Sequence, residues 1–191
     1  VDTDGDGYSD LNDQFPNDPT RYLDTDGDGY DDDEDDCPLN PGTSTNGSVG
    51  CFDADQDTWA DLNDSFPIDA TQWNDTDMDG FGDNQTGNNP DNCPAVFGNS
   101  TSGLLGCVDS DADTWADSVD LFPADSAEWA DNDSDGFGNN GDFCPQIPGN
   151  ATNGTIGCVD SDGDTWGDDS DILPLDPSQW VDSDGDGYGD N

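Results

Sequence analysis

The chain is 191 residues long, with 48 acidic residues against a single base, Arg21, no histidine and a formal charge of −47. Such a polyanion has no positive surface to neutralise phosphate, which excludes nucleic acid as a direct partner. It also has no apolar run long enough for membrane insertion and no basic amphipathic face to lie on a bilayer. With 29% hydrophobic residues, composition alone fits a disordered acidic tail. The acids, however, recur in fixed register with Trp, Pro and Cys, and that order predicts a folded repeat array. The sequence opens on neither Met nor a signal segment, as expected of a processed chain or an excerpt.

The first stretch, DTDGDGYSDLND, places Asp2, Asp4, Asp6, Asp10 and Asp13 at positions 1, 3, 5, 9 and 12 of a twelve-residue loop. Gly7 falls at position 6, and Tyr8 at position 7 offers a backbone carbonyl. This is the ligand spacing of an EF-hand-type calcium loop. Five carboxylates turned towards one centre repel each other unless a hard cation lies between them. The second copy supplies Asp24, Asp26, Asp28, Tyr30, Asp32 and Asp35, and the third Asp53, Asp55, Asp57, Trp59, Asp61 and Asp64. The fourth has Asp75, Asp77, Asp79, Phe81 and Asp83, then five extra residues around Gln85 to Asn89 before Asp91. The fifth has Asp109, Asp111, Asp113, Trp115, Asp117 and Asp120; the sixth has Asp131, Asp133, Asp135, Phe137, Asn139 and Asp142. The seventh has Asp160, Asp162, Asp164, Trp166, Asp168 and Asp171. The eighth has Asp182, Asp184, Asp186, Tyr188 and Asp190, and breaks off before position 12.

The copies alternate between two kinds. Those starting at Asp2, Asp53, Asp109 and Asp160 are followed 22 residues later by the next motif; after the others the gap is 29, 34 and 29. The unit is therefore a tandem, with repeats at 1–52, 53–108 and 109–159 and a truncated fourth at 160–191. Periods of this size predict a linear array in which each unit leans on its neighbours.

Each first-kind motif is followed by Phe15-Pro16, Phe66-Pro67, Phe122-Pro123 or Leu173-Pro174, and then by Asp18, Asp69, Asp125 or Asp176. Seven residues past each Phe or Leu stands Tyr22, Trp73, Trp129 or Trp180. Asp69 to Gln72 and Asp125 to Glu128 read as capping boxes, and Pro177 suits a first helical position, so a short helical turn is expected there. Position 7, the Phe and the terminal aromatic are expected to form a local cluster; the alternative is a sugar-stacking platform.

Each complete second-kind motif leads into Cys37-Pro38, Cys93-Pro94 or Cys144-Pro145, and a Gly/Asn/Ser/Thr-rich stretch closes at Cys51, Cys107 or Cys158. The separation is 14 in all three, even beside the five-residue insertion. That constancy predicts local disulfides Cys37–Cys51, Cys93–Cys107 and Cys144–Cys158, each worth about 3 kcal/mol of loop-closure entropy. Zinc is disfavoured by the lack of Cys-x-x-Cys spacing and of histidine. Disulfides imply an oxidising compartment, hence an extracellular or cell-surface location. Within these loops Asn46, Asn99, Asn150 and Asn153 begin N-glycosylation triplets.

The runs Asp24 to Pro38 and Asp131 to Pro145 resemble thrombospondin type 3 repeats, and the resemblance covers nearly the whole chain. It implies Asp-rich loops wound around calcium with almost no hydrophobic core, ligands at the matching Asp positions, and more than one ion per repeat. The chain departs from that pattern in three ways. Its unit is longer, with cysteines paired inside one loop. Thr58, Thr114 and Thr165 replace glycine at position 6. Asn139 supplies a neutral oxygen at position 9. The expected fold is mostly irregular: a calcium-stabilised linear array of Asp-rich EF-hand-like loops with short helical turns, little regular secondary structure and no conventional core.

One calcium per motif takes the charge from −47 to −31, and two take it to −15. The higher count is favoured by self-repulsion, with Asp18, Asp69, Asp125, Asp176, Asp31, Asp33 and Asp36 as further oxygen sources. Magnesium fits less well because it keeps its waters and demands a tighter octahedron. No His, Lys or unpaired Cys completes a catalytic site, so no enzymatic activity is expected. A sensor needs reorienting helices that this Pro/Gly-rich chain lacks. The reading is a secreted or cell-surface structural protein, a stalk or filament segment that self-associates or continues a longer array. A calcium-dependent module for glycans or matrix partners is the alternative.

Overall fold

A computed structural model describes residues 1–190; Asn191, the end of the truncated fourth repeat, lies outside them. Among the described residues there is no helix and no extended strand, only turns, bends and four isolated bridges: Asn46↔Trp59, Gly82↔Pro90, Ser102↔Trp115 and Asn153↔Trp166. The fold is irregular with little regular secondary structure, as expected of the Asp-rich repeat array. The chain divides into two units, Val1–Ala95 and Val96–Asn191.

Eight backbone rings carry the structure, and all close alike. The position-9 N–H donates to the carbonyl of the residue before position 1, from Asp10 N to Val1 O at 2.8 Å through Asp61 N to Phe52 O at 2.9 Å to Asp190 N to Val181 O at 2.7 Å. The position-9 side chain reinforces the closure. Its carboxylate accepts the N–H and hydroxyl of residue 2 in the rings of Thr3–Asp10, Thr25–Asp32, Ser110–Asp117 and Ser161–Asp168. Curling the chain this tightly puts positions 4 and 6 at positive φ, including non-glycine residues Gln56, Met78, Ala112 and Ser134 at position 4.

The Phe-Pro segments fold as two consecutive turns, not as a helix. In the second repeat Asp69 N donates to Phe66 O at 2.8 Å and Gln72 N to Asp69 O at 2.9 Å; Ser65 N then closes on Trp73 O at 3.1 Å. Asp69 and Asp125 accept the N–H two residues on, as a cap does. The reciprocal half of the expected capping box is absent, because Gln72 and Glu128 point forward into the next ring instead. Gln72 donates to Asn84 O and Asn88 O, both at 3.0 Å, and accepts Asn84 N at 2.9 Å; Glu128 accepts Asn140 N at 2.9 Å. Of the expected aromatic cluster, the position-7 ring stacks on the terminal aromatic in the first, third and fourth repeats. Tyr8–Tyr22, Trp115–Trp129 and Trp166–Trp180 lie within 12° of parallel, with centroids 4.2, 6.3 and 6.5 Å apart.

Cys37–Cys51 and Cys144–Cys158 are disulfides with Cα atoms 5.1 Å apart, and Cys93 and Cys107 are disulfide-bonded as well. Each cysteine loop coils on the carbonyl of its second cysteine, which accepts two adjacent N–H groups: Thr43 and Ser44 on Cys51, Asn150 and Ala151 on Cys158. Among the described residues, the buried apolar ones are all small: Cys51, Cys107, Cys158, Ala60, Ala116 and Ala151. The largest fully buried side chains are polar, led by Gln72, Asp31 and Asp91. Hydrogen-bonded polar groups thus occupy the interior that apolar residues fill in an ordinary domain.

Candidate metal centres

Inside each ring the backbone amides orient the acids. The position-1 carboxylate accepts the N–H groups of positions 4 and 6, as Asp53 does from Gln56 at 2.7 Å and Thr58 at 3.0 Å. Position 3 accepts from position 5, and position 5 from position 7, for example Asp57 N to Asp55 at 3.2 Å and Trp59 N to Asp57 at 2.8 Å. In the third, fifth and seventh rings the backbone thus holds both oxygens of the position-1 acid and one oxygen of each of the acids at positions 3 and 5.

The result is a set of all-oxygen clusters. Ligand atoms of Asp2, Asp4 and Asp6 lie within 4.8 Å of one another, as do those of Asp24, Asp26 and Asp28, of Asp53, Asp55 and Asp57, of Asp75, Asp77 and Asp79, of Asp109, Asp111 and Asp113, and of three further groups. These triplets could hold a metal ion. Among the described residues, the second oxygens of Asp26, Asp55, Asp111 and Asp162 at position 3, and of Asp57, Asp113 and Asp164 at position 5, are buried and accept no hydrogen bond. Among the described residues no backbone N–H donates to any of the eight position-7 carbonyls, from Tyr8 to Tyr188. Buried oxygens left bare beside like charges cost free energy unless a cation neutralises them. The donor set therefore fits a hard cation.

Position 12 feels the charge of the neighbouring acids in the second and fourth rings. Asp13, Asp35, Asp91, Asp120, Asp142 and Asp171 are buried, and each accepts through one oxygen the N–H two residues on, as Asp35 does from Cys37 at 2.6 Å. Burial, with the Asp28, Asp24 and Asp32 carboxylates, pushes the Asp35 carboxyl above its usual range. Burial and the Asp79, Asp77 and Asp83 charges do the same to Asp91. Asp91 reaches its place despite the insertion because its N–H pairs with Gly82 O at 2.9 Å. Asp35 pairs in the same way with Asp31, Asp120 with Ala116, and Asp142 with Gly138. The five extra residues loop out around the buried Gln72.

The remaining candidate ligands have other work. Position-9 oxygens are engaged by residue 2, Asn139 included, which accepts Asn132 N at 3.0 Å. Among the supplementary acids, Asp18 and Asp69 accept from the Thr20 and Thr71 N–H and hydroxyl groups, and Asp176 from those of Ser178. The Thr71 hydroxyl, then its N–H, holds the Asp69 carboxyl below its usual range. Asp31 is 1% exposed; burial works against its charge, but the N–H groups of Tyr22, Asp33 and Leu23 and the Arg21 guanidinium together hold its pKa low. Asp36 accepts Val49 N at 2.9 Å, while Asp33 stays exposed. Of the four glycosylation triplets, Asn46 and Asn153 use Nδ2 to bond Thr58 and Thr165, whereas Asn99 and Asn150 accept through Oδ1 from Asp109 N and Asp160 N.

Sequence reasoning missed the forward-pointing Gln72 and Glu128. The signal lay in the alignment of repeats. A Cβ on Gly82 would meet Gln72 Oε1 at 2.1 Å, and one on Gly138 would meet Glu128 Oε2 at 2.0 Å. In the first repeat the corresponding pair is Arg21 and Asp31. Among the described residues no helix is long and apolar enough to cross a membrane. No protein-family model matches the chain, and no curated protein matches it either.

Proposed function

We propose that this chain is a calcium-binding structural protein of the cell surface or extracellular space, a stalk or filament segment of the kind built from thrombospondin type 3 repeats. The observation that carries the reading is the set of buried carboxylate oxygens without hydrogen-bond donors, at position 3 in Asp26, Asp55, Asp111 and Asp162 and at position 5 in Asp57, Asp113 and Asp164, beside position-7 carbonyls to which no backbone N–H of the described residues donates. A flexible set of carboxylates and one carbonyl suits calcium, with its six to eight oxygen ligands, better than magnesium. Oxidised cysteines support an extracytoplasmic site. Pairing of the aromatic faces within a repeat supports packing over sugar stacking.

Calorimetric titration of the chelator-stripped protein tests the reading. At least one calcium per motif is expected, and Asp26→Asn together with Asp28→Asn removes binding at the second ring alone. Failure to bind calcium, or equal preference for magnesium, would reject it. Electron microscopy of the loaded protein tests the filament role separately.

A further inference from the structure

Three of the eight rings carry threonine in a left-handed conformation at position 6: Thr58 at φ 87°, Thr114 at 90° and Thr165 at 86°. The other five carry glycine there, Gly7, Gly29, Gly80, Gly136 and Gly187, at φ between 87° and 102°. A β-branched residue strongly disfavours this region, whereas glycine enters it freely. Nothing inside the ring calls for threonine.

The three threonine rings are also the three that receive a cysteine loop. Thr58 O accepts Thr45 N and Asn46 N, both at 2.9 Å, while Asn46 Nδ2 donates to Thr58 Oγ1 at 2.7 Å. Thr165 is held identically, by Thr152 N and Asn153 N at 2.9 Å and by Asn153 Nδ2 at 2.7 Å. Thr114 receives Thr101 N and Ser102 N at 2.9 Å, and its hydroxyl lies 3.0 Å from that of Ser102. The hydroxyl that glycine lacks is the group the cysteine loop grips. Each threonine N–H in turn donates to the position-1 carboxylate, Asp53, Asp109 or Asp160, at 3.0, 2.9 and 2.9 Å. Each threonine also immediately precedes the position-7 carbonyl. Fixing the threonine therefore fixes two candidate ligands.

We propose that Asn46, Ser102 and Asn153 are positioning residues: through Thr58, Thr114 and Thr165, each cysteine loop sets the shape, and so the cation affinity, of the ring that follows it. This rests on the calcium reading above. The Cys37–Cys51 and Cys144–Cys158 loops also touch the ring before them, since Gly42 N donates to Asp28 at 2.8 Å and Gly149 N to Asp135 at 2.7 Å. Each of these two loops is thus a clasp between successive rings, keyed on its downstream side by threonine.

The test is a calcium titration of the full-length oxidised protein, followed ring by ring through the position-6 amide resonances. Asn46→Ala, Ser102→Ala and Asn153→Ala together are expected to weaken the three threonine rings about 3- to 10-fold, the worth of one hydrogen bond, and to leave the five glycine rings unchanged. In a Thr58→Gly, Thr114→Gly, Thr165→Gly background the same alanine substitutions are expected to cost nothing further, because glycine needs no grip. Unchanged affinity in the alanine variant, equal weakening of all eight rings, or the same loss in the glycine background would each overturn the proposal. Absence of calcium binding by the unsubstituted protein is a different result, which removes the calcium reading itself.

Discussion

Gly138 marks the spot where the Glu128 carboxylate passes under the sixth ring, close enough that an added methyl would sit 2.0 Å from Oε2. The carboxylate is the tip of a flexible side chain and can swing aside, but doing so breaks its bond to Asn140 N, 2.9 Å away, and leaves a charge and an N–H unpaired. Gly138→Ala is therefore expected to lower the stability of the calcium-loaded protein by about 1–3 kcal/mol. Glu128→Ala should remove most of that added penalty, because the clash and the bond vanish together. Denaturant unfolding of the four members of this cycle checks the coupling; additive losses would refute the contact. Gln72 and Glu128 were not legible as interior residues. Lone polar side chains on a turn are ordinarily solvated, and only a fold without apolar filling draws them inward. The clustering of the acids at positions 1, 3 and 5 was legible, because a carboxylate every second residue around a tight ring brings them to one side.

At the scale of the element, the ring and the cysteine loop were both readable, the first from its spacing and the second from its constant separation of 14. How they dock was not. The bridges Asn46↔Trp59 and Asn153↔Trp166 depend on Thr58 and Thr165 adopting φ near 90°, a conformation that propensity argues against. Strain of this kind costs on the order of 1–3 kcal/mol for each threonine and persists only where surrounding bonds over-determine it. The insertion shows the opposite tolerance. Asp91 N meets Gly82 O as Asp142 N meets Gly138 O, so Gln85 to Asn89 leave the pairing intact. Deleting those five residues should leave the number of calcium sites unchanged. Stability should fall slightly, since Asn88 Nδ2 no longer reaches Asp69, at 3.1 and 3.2 Å from its two oxygens. Calorimetric stoichiometry decides: loss of a site would mean that the insertion belongs to the fourth ring's ligand cage.

For the whole molecule the question is what replaces a core. Six small buried apolar residues cannot offset a backbone entropy cost of roughly 1–2 kcal/mol per residue, and a formal charge of −47 opposes folding further. On the proposed reading, the hydrogen-bonded interior is supplemented by two further sources, the disulfides and the coordination of cations within the rings. The first acts mainly on the unfolded chain; the second also cancels the repulsion between oxygens within 4.8 Å of one another. Chelation with EGTA should therefore expand the protein towards the radius of gyration of about 45 Å typical of a denatured chain this long, less whatever the disulfides retain. Small-angle scattering measures it directly. Sodium chloride then separates two causes. At 1 M the screening length is about 3 Å, so general repulsion between rings disappears while the bare oxygens inside each ring still lack a bridging ligand. If calcium acts as a ligand centre, 1 M salt with EGTA leaves the protein expanded and the position-6 amides unstructured. Full recovery of the compact state in salt alone would mean that charge screening suffices, and that the rings hold their shape without an ion at their centre.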